Sequence, residues 1–188
     1  MNKILITVLI LFITSCVQYS LIKEGSEINV NNLYSVKAPI EMSELRVQGS
    51  NVKWFTNNGR GLDLFFFSDD IYPGGTLSNI DKKKDSKKYK IKMNNIEFVA
   101  FVGDAFSDFG FTNFKLHDVG EINSSVGIFQ RFYLKGTDKN IGLKYKAIID
   151  RHFERDILRI NGFIAPEKHY YDEYIQMYEQ MVRSLIKK

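Results

Sequence analysis

Two periods of apolar residues organise this chain. Phe98, Phe101, Val102, Ala105, Phe106 and Phe109 recur at spacings of three and four, which predicts a helix with one apolar face. Asn94 and Glu97 stand three apart at its start, where each can bond the other's backbone N–H as a capping box. Gly110 sits where a left-handed C-terminal cap is wanted, and Gly103 inside the helix costs about 1 kcal/mol relative to Ala. Before this helix, residues 34–38 alternate, with Pro39 confining them to an edge or a strand end. Residues 52–56 and 62–67 flank the turn cluster 57–61 and predict a hairpin. Ser68-Asp69-Asp70 and Pro73-Gly74-Gly75 interrupt regular structure, and a polar stretch follows to Lys92. Beyond Thr112 the period shortens to two. Strands are predicted from Phe114 to about Ile122, over 126–135, over 141–149 and over 157–164, joined by turns at 123–125, 136–140 and 152–156. Four such strands with short connections form an antiparallel meander. Pro166 is placed at the first turn of a final helix. Tyr171, Tyr174, Ile175, Tyr178, Met181, Val182 and Leu185 stripe its inner face; Arg183, Lys187 and Lys188 suit its C-terminal dipole. The fold class is α+β: an antiparallel sheet, made of the meander and an N-terminal hairpin, packed by a mid-chain helix and a C-terminal helix.

The first sixteen residues follow neither period. Lys3 precedes a run from Ile4 to Ile13 that is apolar but for Thr7, closing on Ile13-Thr14-Ser15-Cys16. A bilayer span needs about 20 apolar residues, so this run is too short to cross. Its order is that of a secretory signal: basic start, short apolar core, small residues at the cut. An apolar branched residue, two small ones and then Cys resembles the lipobox of bacterial lipoprotein precursors. The resemblance implies cleavage before Cys16 and acylation there by diacylglycerol and a fatty acid such as palmitate. The alternative is an ordinary signal or a buried apolar strand with a chance cysteine. The domain organisation that follows is a signal peptide over 1–15, a lipidated Cys16 with a tether over 16–32, and one globular domain over 33–188. A tether of about fifteen flexible residues has a reach on the order of 20 Å.

Composition changes this picture little. The chain is 44% hydrophobic and 26% charged, which is globular, and its 15 Phe and 10 Tyr imply a core of large flat side chains. The single cysteine is the one at the lipidation site, so no disulfide is expected within the domain. The net charge of +4 is a mild excess in a Lys-, Asn- and Ile-rich chain. With an exported location and no recognition motif, it gives no reason to expect nucleic-acid binding.

A second resemblance rests on the C-terminal half. The meander ending Ile157-Leu158-Arg159-Ile160-Asn161-Gly162, a short polar bend, and a Tyr-rich helix ending Met181-Val182-Arg183-Ser184-Leu185 resemble PsbP-like domains, among them lipoproteins of the DcrB type. That likeness implies an α/β/α sandwich over about 33–187 and a binding or scaffolding role.

Chemistry is sparse. Lys82, Lys83, Lys84, Lys87 and Lys88 belong to a dense basic stretch that could meet an anionic membrane surface, at about 1 kcal/mol per Lys, or phosphates on an envelope polymer. The plainer reading is a solvated loop. His152 with Glu154, and His169 with Asp172 and Glu173, have spacings a metal could use but not the multi-ligand signature of zinc. Asp69 and Asp70 precede the Pro-Gly-Gly turn and suit a turn cap better than a cation site. No Gly-x-Ser-x-Gly occurs, and the only cysteine is committed to lipid. The expected function is therefore a lipid-anchored envelope protein, on the outer membrane facing the periplasm if the host has two membranes, since Val17 rather than Asp follows the cysteine. Its domain is expected to bind or scaffold a protein or an envelope polymer without catalysis, cofactor or metal. The alternative is a small envelope hydrolase with an acid or His site.

Overall fold

The structure, a computed structural model, describes residues 19–47, 50–77, 86–107 and 109–188. Along the chain lie β1 (Tyr19–Ile22), β2 (Glu27–Asn29), β3 (Tyr34–Lys37), β4 (Met42–Leu45), β5 (Val52–Thr56), β6 (Leu64–Ser68) and α1 (Asn95–Ser107). They are followed by β7 (Phe111–Ser124), β8 (Gly127–Asp138), β9 (Lys144–Glu154), β10 (Ile157–Pro166), α2 (Tyr170–Arg183) and β11 (Ile186–Lys187). Eight strands form one sheet in the order β1-β4-β5-β6-β10-β9-β8-β7, and every pairing in it is antiparallel. A three-stranded sheet, β11-β3-β2, lies apart from it. This is the expected α+β class.

The large sheet is covered on both faces. Phe98, Phe101, Val102 and Phe106 of α1 pack on one face with Trp54, Phe66, Phe132 and Ile149. On the other face, Tyr174, Tyr178, Met181 and Val182 of α2 meet Phe55, Phe65, Phe67 and Phe163, and the small sheet joins them through Val36 and Ile28. Every residue of β6 is buried, which is why its sequence runs apolar instead of alternating. The centre is tight. Gly162 of β10 lies opposite Phe66, and a Cβ there would come within 2.2 Å of that ring. Only a residue without a side chain lets the ring cross that strand.

Local signals are met where they were strong. Asn94 N–H donates to Glu97 Oε2 and Glu97 N–H to Asn94 Oδ1, both at 2.9 Å, so the capping box forms. Gly110 has φ +90°, the left-handed conformation expected after the helix. Arg155 and Asp156 have φ of 50° and 66°, and they turn β9 directly into β10 as a two-residue hairpin loop.

Three expectations are corrected. The stretch read as a tether is folded from Tyr19 onward: β1 pairs with β4, β2 pairs with β3, and Ile28 and Val30 are buried. Its strands of four and three residues are too short to establish a period in the sequence. Pro166 does not open the last helix. It ends β10 opposite Tyr145, and α2 begins at Tyr170 after His169, whose φ is 72°. Lys187 does not extend that helix either, because β11 turns away to pair with β3.

Candidate functional site

Two adjoining concavities lie along β7, one of the two edge strands of the large sheet. Its register against β8 slips twice, between Thr112 and Lys115 and between Leu116 and Asp118, and Asn113 in the first irregularity has φ 58°. Such bulges bend a strand and re-aim its side chains. The first half of β7, where they occur, runs beside α1. Between the two elements runs a groove of about 600 Å³ lined chiefly by Ile96, Val99, Gly103, Phe114 and Leu116. Gly103 lines the groove where helix and strand converge, and a Cβ there would lie 3.8 Å from the Phe114 ring, an ordinary contact distance, so space alone does not demand a glycine. Ile96 is 78% exposed at the rim, an uncommon position for a residue of its size. Among the described residues Lys115 is the one ionisable side chain on the groove wall, and the lining is suited to an apolar group.

Charge is instead buried beneath α2. Arg131 and Asp150 face each other across β8 and β9; Nε and Nη2 of Arg131 donate to the two carboxylate oxygens, both at 2.8 Å. Tyr178 of α2 donates its hydroxyl to Asp150 Oδ2 at 2.7 Å, and Arg131 Nη1 donates to Glu179 Oε1 at 2.6 Å. Burial pulls the Arg131 guanidinium down, but its bonds to Asp150 outweigh that and hold it above its ordinary value. Burial, with Asp150 alongside, pushes Tyr178 far up, so it remains a proton donor. This network fastens helix to sheet.

A second network joins the two sheets. Arg159 donates to Asp70 Oδ1 at 2.6 Å, to Glu154 Oε2 at 2.7 Å and to the Tyr34 hydroxyl at 3.2 Å. Lys187 of β11 comes within 3.7 Å of Glu154. On the opposite face Arg151 has no carboxylate partner among the described residues. Its guanidinium lies between Phe98, Phe132 and Phe153, at 4.6 to 5.1 Å from the ring centres, and donates to Asn95 Oδ1 and Gln130 Oε1. Burial lowers its pKa.

The residues singled out from sequence are mostly elsewhere. Cys16, Lys82, Lys83 and Lys84 lie outside the described residues. Lys87 and Lys88 are exposed, and the Lys87 N–H donates to Asp104 Oδ2 of α1 at 2.8 Å, while buried Tyr89 pairs its backbone with Gly74 and Gly75. That end of the basic stretch is thus tied to the domain. Asp70 is held in a salt bridge with Arg159, and the Asp69 N–H donates to the Asn51 carbonyl at 2.8 Å, next to the β5–β6 pairing. His152 Nδ1 lies 3.1 Å from the Ile128 carbonyl, and its neighbour Glu154 is taken by Arg159. No group of three or more His, Cys, Asp or Glu suited to a metal occurs among the described residues. Arg131, Asp150 and Arg159 were not singled out. The available signal was a charge at inward strand positions, legible only once both faces of the sheet are known to be covered.

No family model matches this sequence, and no curated protein matches it. Solved structures do. The chain superposes on cyanobacterial PsbP (CyanoP) from Synechocystis sp. PCC 6803 with a TM-score of 0.50 at 13% identity, covering 93% of this chain and 95% of that one. It superposes on the Ran-binding protein Mog1p of Saccharomyces cerevisiae with a TM-score of 0.50 at 11% identity, covering 91% and 96%. At these identities the likeness is one of fold, and the fold is PsbP/Mog1-like.

Proposed function

We propose that this chain is a lipid-anchored cell-envelope protein whose PsbP/Mog1-like domain binds or scaffolds a partner and catalyses no reaction. The observation that carries the anchoring is the order Ile13-Thr14-Ser15-Cys16 after a short apolar run. Support for binding over catalysis comes from the groove beside β7, which is apolar, and from the pairing of Arg131 with Asp150 and of Arg159 with Asp70 and Glu154, which commits those charges to structure. Mog1p, of the same fold, is a Ran-binding protein; the partner here is expected to be an envelope protein or polymer.

In this reading the anchor is short. Cys16 precedes Tyr19 of β1 by three positions, a reach of about 10 Å at roughly 3.5 Å per residue. The β1 edge then rides close to the bilayer, and Tyr19 and Leu21, 55% and 63% exposed, meet the headgroup region with Lys23 beside them. Val17 after the cysteine favours the outer membrane, facing the periplasm. Labelling cells with a clickable palmitate analogue tests the anchor: wild type takes up label and Cys16→Ala does not. Equal labelling of both would end this reading. Crosslinking in intact cells, with Leu116→Glu in the groove as the comparison, tests the binding role; a capture pattern unchanged by Leu116→Glu would move the partner site away from β7.

A further inference from the structure

Adjoining the apolar groove around the β7 edge, with Asn113 and Lys115 lining both, the register puts like charges together. Lys115 of β7 lies directly opposite Lys135 of β8, and Lys135 directly opposite Lys146 of β9, so three lysines form one row across three adjacent strands. Lys144, two residues before Lys146 and opposite Thr137, adds a fourth on the same face. Like charges directly opposite on neighbouring strands destabilise a sheet. Strands about 4.8 Å apart put the outer members of the row within roughly 10 Å of each other at the backbone.

Almost nothing nearby neutralises them. Lys146 is half covered, 5.0 Å above the Tyr171 ring and 4.0 Å from Glu167 Oε1. Lys115, Lys135 and Lys144 are exposed and have no ion-pair partner among the described residues. Asp118, the next acid along β7 on this face, accepts from the Val119 N–H. Nor is the surface flat. Lys115, Lys135, Lys144, Asn113, Thr137 and Glu167 line a concavity of about 540 Å³. The Thr137 hydroxyl accepts from Asn113 Nδ2 at 3.3 Å, which leaves its own proton to donate into that space.

We propose that this concavity binds a multiply charged phosphate group, with Lys115, Lys135 and Lys144 supplying the charge and Thr137 a neutral hydrogen bond. The chemistry follows from the lysines: compact, strongly hydrated cations on flexible stems gather around an anion with several equivalent oxygens, without the planar fork that arginine offers a carboxylate. The phosphate can belong to a soluble or polymeric compound or to a lipid headgroup. β7 and β1 are opposite edges of an eight-stranded sheet, roughly 30 Å apart. With the anchor proposed above at β1, the site faces away from the anchoring membrane, which favours a phosphate not in that membrane. The binding itself does not depend on the anchor.

The test uses the full-length chain in neutral detergent, with inorganic pyrophosphate and dihexanoyl phosphatidic acid as separate probes, followed by calorimetric titration and thermal unfolding at low and physiological salt. Pyrophosphate is expected to bind and raise the unfolding midpoint, more weakly at higher salt. Lys135→Gln and Lys144→Gln should each weaken binding at least about fivefold, while Lys139→Gln, outside the concavity, should not. Without ligand, Lys135→Gln should unfold no lower than wild type, because it relieves repulsion; this separates loss of a ligand contact from loss of structure. Tighter binding of phosphatidic acid with the same dependence on lysine assigns the group to a headgroup, and tighter binding of pyrophosphate assigns it to a non-lipid phosphate. If neither probe binds, or both bind the Lys135→Gln/Lys144→Gln double variant as well as wild type, the proposal is overturned. Loss of Cys16 labelling and loss of this binding are separate outcomes, so each reading fails on its own terms.

Discussion

Asp150 shows how one residue governs a region. It is fully buried and takes three hydrogen bonds, two from Arg131 and one from Tyr178. Removing one member of a buried ion pair leaves the other charge uncompensated, at about 3–5 kcal/mol. Asp150→Asn is therefore expected to lower urea stability by that amount, whereas Asp172→Asn, exposed on the first turn of α2, should change it by less than about 0.5 kcal/mol. Glu154 acts through pH. The Arg159 hydrogen bond, with Lys187 nearby, depresses its pKa below the ordinary 4.5. A carboxylate with a depressed folded-state pKa stabilises above its unfolded value and loses that contribution as pH falls through the folded one. The unfolding midpoint of wild type should thus exceed that of Glu154→Gln at pH 6, and the gap should close as pH drops below 4.5. A gap that persists at pH 2 would point to packing instead of charge.

At the scale of elements, α2 is held by its inner stripe. Tyr171, Tyr174, Tyr178, Met181 and Val182 are buried, as the spacing of apolar residues predicts. Met181 has no exposed surface, so Met181→Ala should cost about 2–5 kcal/mol through lost burial and the cavity left behind. Lys187→Ala should cost far less, since its contact with Glu154 is 3.7 Å long and the side chain is 58% exposed. A Met181→Ala protein with an unchanged urea midpoint would mean that α2 does not anchor this face. Long periodic elements were thus legible from sequence, capping box included. Among the short ones, β3 was read and four were not. β1, β2, β4 and β11 have two to four residues each and are defined by their partners. For the same reason the candidate site could not be read. The groove depends on α1 leaning over β7, and the lysine row depends on the register between β7, β8 and β9. Neither quantity is written in any one segment.

For the molecule as a whole, the question is where the domain begins. A flexible tether would exchange its amide hydrogens at unfolded-chain rates. β1 instead pairs over Tyr19–Ile22 with β4. Hydrogen exchange on the full-length protein should find amides in β1 protected at least about tenfold over an unfolded chain, less than those of β9 and β10 because β1 is an edge. Exchange at the unfolded rate across residues 19–22 would restore the tether. Protection there would make the link from Cys16 to the domain only a few residues long, so that a lipid on Cys16 would restrict the domain's orientation to the bilayer.

The sequence by itself determined the fold class, the mid-chain helix with both its caps, the meander and the inner stripe of the last helix, because each is set by periodicity or by residues within a few positions of one another. It also carries, in sixteen residues, the whole case for an envelope address. The tertiary structure alone decided that both faces of the large sheet are covered, that the residues after Gln18 belong to the sheets, and that Pro166 closes a strand. It alone brought Arg131 to Asp150, Arg159 to Asp70, and four lysines to one face of β7, β8 and β9. These bring together residues from about ten to about ninety positions apart, and the physical reason is register: in a sheet a shift of one residue exchanges the faces, so no local pattern can say which charges will meet.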